Sequence, residues 1–187
     1  PSSAGPWLAI GDVSGHGVTA GLVMMIAQTA IRTAILHETE GLAAPGGAPS
    51  PSRVLATTNR ILMEDMRRLG TDKYMTVSLL RRVDDRLFAH AGLHLDIVVY
   101  RRARQQVELV ATRGMWLGVT ASIEKHLRDQ IFEVHPGDVV VLYTDGLIEA
   151  ERDEREFGLE RLCEVVTRAA ERGDATEIRA ALLEALA

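Results

Sequence analysis

"GDVSGHGVTAGLVMM", residues 11–25, is the stretch whose reading decides the fold of this chain. The apolar residues Trp7, Leu8, Ala9 and Ile10 lead into it, and Asp12 ends that run. Ser14, Gly15, His16 and Gly17 follow, and then a long apolar pattern begins. Residues 7–12 therefore read as a strand. Residues 17–38 read as a helix, because Val18, Leu22, Met25, Ile26, Ile31 and Ile35 recur at helical spacing. The remaining faces of that helix are also apolar, so it is expected to be covered on more than one side. A carboxylate thus stands at the end of a strand, on a loop too rich in glycine to pack.

Working outward, "GLAAPGGAPSPS" (41–52) reads as an exposed, mobile loop. A second helix follows, starting at about residues 51–53 and ending at Leu69. Ser52 is its expected N-cap and Gly70 its C-cap, with Val54, Leu55, Ile61, Leu62 and Met66 as the inner stripe. The pattern then becomes strand-like. Residues 74–82 and 86–92 flank a Val-Asp-Asp turn, and 96–102 and 106–111 read as a second hairpin. Residues 128–135 and 139–145 lie on either side of the turn signal Pro136-Gly137-Asp138. Two helices close the chain, the second opened by Asp174 with Glu177 in capping-box spacing. Blocks of strands and blocks of helices indicate α+β, an antiparallel sheet with helices layered on it, in a single domain over 1–187.

Composition narrows the function. At 187 residues and 47% hydrophobic, the chain can bury a sizeable core. A net charge of −5 and scattered arginines argue against a nucleic-acid face. The most apolar run, 17–36, is broken by Thr19, Gln28, Thr29, Arg32 and Thr33, which argues against a membrane span. The single cysteine, Cys163, excludes an internal disulfide, fits a reducing, cytoplasmic setting and reads as a core residue of a helix.

Two carboxylates stand out. Asp12 follows "WLAIG" and Asp145 follows "VVVLYT", and each is succeeded at once by turn residues. A carboxylate beside backbone that can approach closely suits a hard cation such as Mg²⁺ or Mn²⁺, although Asp also begins turns for purely local reasons. The glycine loop lacks the lysine and Ser/Thr of a phosphate-binding P-loop, but it precedes a helix and can aim N–H groups at an anion. Ser14 has no visible His/Asp relay. His16 is a weak ligand or acid candidate, and His90 and His94 read as ordinary sheet or turn residues. The acidic run 149–156 reads as a solvated helix end.

At these motifs the sequence resembles the PPM (type 2C) family of metal-dependent serine/threonine phosphatases. More narrowly, it is similar to the bacterial branch that includes sporulation stage II protein E and the sigma-B regulator phosphatases. "GDVSGHGVTAGLVMM" and "VLYTDGLIEA…EFGLERL" carry the resemblance, together with "KYMTVSLLRRVDDRLFAHAG" and "WLGV" (116–119). It implies an αββα sandwich and a two-metal Mn²⁺ or Mg²⁺ site. Asp12 would be the bridging carboxylate, the Val13 carbonyl a second ligand, and Asp145 a ligand from the facing strand. Ser14, Gly15, His16 and Gly146 would border the phosphate.

The resemblance further implies a phosphoserine or phosphothreonine substrate on a signalling protein such as an anti-sigma-factor antagonist. An N-terminal sensor domain and a homodimer are expected with it. The branch also carries an acidic ligand before this strand and an acidic pair after the last helix, so the domain is expected to be incomplete at both ends. The family's Ala-Gly-His is here Ala91-Gly92-Leu93, with His94 displaced by one. The alternatives are a degenerate module that binds a partner protein, and an unrelated phosphoesterase acting on small molecules.

Overall fold

The computed structural model describes residues 5–40, 48–152, 155–171 and 174–186. The chain divides into two compact units, Pro1–His94 with Thr112–Glu133, and Leu95–Ala111 with Val134–Ala187.

The first unit is a four-stranded sheet with two helices. Its strands β1 (Trp7–Val13), β2 (Met75–Arg82), β3 (Leu87–Leu93) and β6 (Gln130–Glu133) lie in that spatial order. All pairings are antiparallel, with Asp12 opposite Thr76 and Val13 opposite Met75. Alternation along β1 and β2 sends Val13, Met75, Val77 and Leu79 into a core with helices α1 (Val18–Thr39) and α2 (Pro51–Leu69). Asp12, Ser14, Tyr74 and Thr76 belong to the opposite face by the same alternation. Leu55 and Leu62 of α2 are fully buried, and each such leucine contributes about 1.5–3 kcal/mol.

Helix α1 runs where its spacing predicts, but only part of the expected stripe turns inward: Ile26, Ile31 and Ile35 meet the core and Val18, Leu22 and Met25 do not. Its buried residues are Ala20, Val23, Ala27, Ala30, Ile31, Ala34 and Glu38. Of the six recurring large residues only Ile31 is among them, while Val18 and Met25 are 81% and 64% exposed. Ala20, Ala27, Ala30 and Ala34 share the inner face with Val23 and Ile31, while Val18, Leu22, Met24 and Met25 are left outside. Among the described residues the cover expected on several sides does not appear, since these last four stay exposed. By length and composition α1 is also apolar enough to cross a membrane, since the polar interruptions of 17–36 dilute its apolarity only slightly. In this fold it packs against α2 and the sheet.

The N-cap of α2 is Ser50, not Ser52. Pro51 takes the first helical position, and Ser50 Oγ accepts the Arg53 N–H at 3.3 Å. Gly70 ends the helix in the left-handed region, as expected. Glu38, buried near the end of α1, accepts two bonds from Arg53 Nε and one from Arg53 Nη2 at 2.7 Å, tying the two helices together. Residues 41–47 of the intervening loop lie outside the described residues.

The second unit is a three-stranded antiparallel sheet, β5 (Gln106–Val110), β4 (Ile97–Arg101) and β7 (Val139–Val141) in spatial order, with α4 (Gly158–Ala170) and α5 (Ala175–Leu186). Leu162, Val166 and Ala170, four apart on α4, pack with Val98, Tyr100, Tyr143 and Phe157. Cys163 is half-buried there, and burial pushes its thiol pKa up, as a packing residue requires. Asp138 organises the 136–138 turn. Its carboxylate accepts the N–H groups of His135 and Arg102 and pairs with Arg101 at 3.0 Å.

Three expectations change in this unit. The turn does not join a hairpin, because β6 pairs with β3 while β7 pairs with β4. Strand β7 stops at Val141, and Asp145 opens a four-residue helix, α3 (Asp145–Ile148), since Leu147 and Glu149 N–H groups turn back onto Thr144 and Asp145 carbonyls. The acidic run is no helix end; it carries a two-residue exposed ribbon, β8 (Glu151–Arg152) with β9 (Arg155–Glu156).

Candidate metal centre

In the first unit the last residues of β1 remain in the sheet while the chain prepares to turn. Asp12 is exposed; its Oδ1 accepts the Val13 N–H at 2.8 Å. Its Oδ2 has no partner among the described residues. The Asp12 N–H donates to Thr76 Oγ1 at 3.3 Å, and Thr76 Oγ1 lies 2.9 Å from His94 Nδ1. Main chain and carboxylate of Asp12 are therefore held separately, which fixes the direction of the free oxygen.

The loop beyond is held from strand β2. Ser14 N–H donates to the Tyr74 carbonyl at 2.8 Å, and Tyr74 N–H returns a bond to Ser14 Oγ at 3.0 Å. Lys73 Nζ donates to the Ser14 carbonyl at 2.9 Å. Gly15 and Gly17 adopt φ of 75° and 87°. At Gly15 a Cβ would lie 2.8 Å from Lys73 Nζ, whereas at Gly17 it would meet nothing within 4 Å. Gly17 then caps α1 with no side-chain bond, and the first turn of α1 carries no acidic residue. The positive end of a 22-residue helix is left uncompensated beside an ammonium group, a setting suited to an anion. His16 is exposed and has no hydrogen-bond partner among the described residues.

In the second unit Asp145 repeats the carboxylate geometry of Asp12. Its Oδ1 accepts the N–H of the next residue, Gly146, at 2.8 Å, and Oδ2 has no partner among the described residues. Thr144 precedes it as N-cap without a side-chain bond. Each unit thus presents one carboxylate with one oxygen anchored and one available. Hard oxygen donors of this kind fit Mn²⁺ or Mg²⁺, so both aspartates fit as ligands. No group of three His, Cys, Asp or Glu side chains gathers at metal spacing among the described residues.

Sequence reasoning assigned no role here to Lys73, Tyr74 and Thr76, and read His94 as an ordinary sheet or turn residue. Their signal lies in the pairing of β1 with β2, which sets "KYMT" against "DVS" across two intervening helices.

The family model for stage II sporulation protein E (SpoIIE) matches residues 2–187. The chain belongs to this family. Solved structures agree on the fold of this SpoIIE-family chain. The SiaA-PP2C domain of Pseudomonas aeruginosa superposes with a TM-score of 0.74 at 23% identity, covering 100% of this chain and 69% of that one. The Mycobacterium tuberculosis serine/threonine phosphatase PstP/Ppp gives 0.64 at 12% identity, covering 98% and 85%. The catalytic domain of PstP in complex with two manganese ions gives 0.66 at 13%, covering 98% and 83%. No curated protein matches the chain in sequence. Family membership and fold agree with the resemblance: this SpoIIE-family chain has the mixed helix and antiparallel-sheet fold of those phosphatase structures.

Proposed function

We propose that this chain is the metal-dependent catalytic part of a phosphoprotein phosphatase. Asp12, the Val13 carbonyl and Asp145 are its ligands for Mn²⁺ or Mg²⁺. Its substrate is a phosphoserine or phosphothreonine on a signalling protein, of which an anti-sigma-factor antagonist is the expected type. The observation that carries this reading is the matched pair of aspartates, each with Oδ1 held by the following N–H and Oδ2 available. Membership of the SpoIIE family supports it, and so does the manganese bound in the PstP catalytic domain.

A bound divalent cation supplies a water of lowered pKa and positive charge for the phosphoryl oxygens. The chain's own residues do the remaining work. Thr76 and the Val13 N–H orient Asp12. Lys73, the uncapped start of α1 and the backbone of Ser14, Gly15 and His16 favour the phosphate's charge on one side. Gly146 leaves space beside Asp145. The same reading places the protein in the cytoplasm, with an N-terminal sensor domain and a homodimeric assembly.

The test is calorimetric titration of Mn²⁺ into the chain, paired with phosphate release from a phosphoserine protein. The expected outcome is saturable binding and manganese-dependent release, both absent from Asp12→Asn. Tight binding of the phosphoprotein with no release under Mn²⁺ or Mg²⁺ would overturn it and favour a partner-binding module.

A further inference from the structure

Beside the Asp12 loop, Tyr74 and Trp116 stack with ring centroids 4.8 Å apart and planes 11° from parallel. They are 38% and 40% exposed, so the pair presents apolar surface that no other described residue covers. A groove of about 330 Å³ opens next to Tyr74, lined by Met63, Met66, Arg67 and Val119 among others. Val119 is itself 52% exposed.

This surface is rigidly joined to the candidate site. Tyr74 exchanges two hydrogen bonds with Ser14, one through its carbonyl and one through its N–H. Leu117, next to Trp116, exchanges two more with Met75, both at 2.9 Å. Thr76 faces Asp12, and Tyr74, just before β2, is hydrogen-bonded to Ser14, two residues beyond Asp12 on the same face. Two residues of strand advance about 6.5–7 Å. An extended peptide with its phosphate at Asp12 repeats that spacing, so the side chain two residues from the phosphorylated one falls over the Tyr74–Trp116 pair. Flat aromatic rings bordered by methionines accept aliphatic or aromatic groups, and the polar rim around Arg67 suits peptide backbone.

We propose that Tyr74 and Trp116 form a substrate-selecting platform that favours phosphoproteins with a large apolar side chain two residues from the phosphorylated serine or threonine. The proposal rests on the phosphatase reading for the position of the phosphate. The occupant is the substrate's own flanking segment, because the platform continues the strand pair that carries Asp12.

The test uses two fluorescent phosphoserine peptides, identical except for leucine or alanine at both positions two residues from the phosphoserine. Binding is followed by anisotropy, and phosphate release is followed with Mn²⁺. The leucine peptide is expected to be favoured roughly fivefold in Kd and in kcat/KM. Trp116→Ala should bring that ratio close to one, and Trp116→Phe should restore most of it. Tyr74→Ala gives a second check, since its bonds to Ser14 run through the backbone and survive truncation. A ratio near one in the parent, or one that persists in both alanine variants, overturns the platform. A binding preference that disappears in Trp116→Ala, without phosphate release from either peptide, upholds the platform and refutes the catalytic reading.

Discussion

The two aspartates share one carboxylate geometry on very different supports. Asp12 is the last residue but one of a seven-residue strand paired along its whole length, and the loop after it is tied to the start of β2 by Ser14, Tyr74 and Lys73. Asp145 follows a three-residue strand, opens a four-residue helix and is anchored locally by the Gly146 N–H. The first is positioned by long-range hydrogen bonds, the second by its own turn. The lesson is that equal local chemistry does not require equal scaffolding. The half with the glycine-rich loop, whose backbone is intrinsically loose, is the one that receives cross-strand ties.

The sharpest way to break this comparison is to remove each charge in turn. Asp12→Asn and Asp145→Asn should each lower manganese-dependent phosphate release by on the order of 10²- to 10³-fold. Each variant should keep the parent's circular dichroism. A loss confined to Asp12→Asn would show that the two carboxylates do not serve one centre.

Next in size is the turn of the second unit. The Asp138 side chain is only 3% exposed. Burial alone would raise its pKa, but the His135 and Arg102 N–H groups and the Arg101 guanidinium outweigh it and hold it below the usual carboxylate range. Asp138→Asn leaves Arg101 without that partner and should cost about 2–4 kcal/mol in urea unfolding.

Gly15 and Gly17 separate strain from contact. Alanine at either position meets positive-φ backbone that L side chains rarely adopt, at a cost of about 1–3 kcal/mol. Only at Gly15 does the new Cβ displace Lys73. Both variants should therefore lose similar Tm, while Gly15→Ala alone weakens inhibition by inorganic phosphate.

The smallest effect is one of pH, and it ranks the two units. His90 is 1% exposed, and burial lowers its pKa from the usual 6.5, only partly offset by Asp129. The unfolded chain takes up that proton more readily, so stability is intact above pH 6.5 and declines as pH falls below it. Asp138, with a lowered pKa, gives stability that is present above 3.8 and lost only as pH falls further. Amide exchange at pH 5 should therefore loosen β3 before the 135–138 turn, and His90→Gln should flatten the change in the first unit.

Much of this was legible in the sequence. Helix and strand order followed from periodicity because each element buries one face, and the motifs around Asp12 and Asp145 named the family and its chemistry. The inner face of α1 was legible only in part, because large apolar residues outweigh alanines in a spacing argument, yet four alanines make up much of the buried face. The helix at Asp145 was hidden for a similar reason: "VVVLYTD" reads as one strand, while the bonds that end β7 and start α3 are made between backbone groups.

The sequence alone determined the α+β class, the two carboxylates and the hard-cation chemistry they suit. Those depend on residue type and on neighbours within a few positions. Only the tertiary structure decided that Lys73, Tyr74, Thr76 and His94 attend Asp12, and that Trp116 lies against Tyr74. Lys73, Tyr74, Thr76 and His94 lie 61 to 82 residues from Asp12, and Trp116 lies 42 from Tyr74; only the register of strand pairing, a long-range property, brings them together.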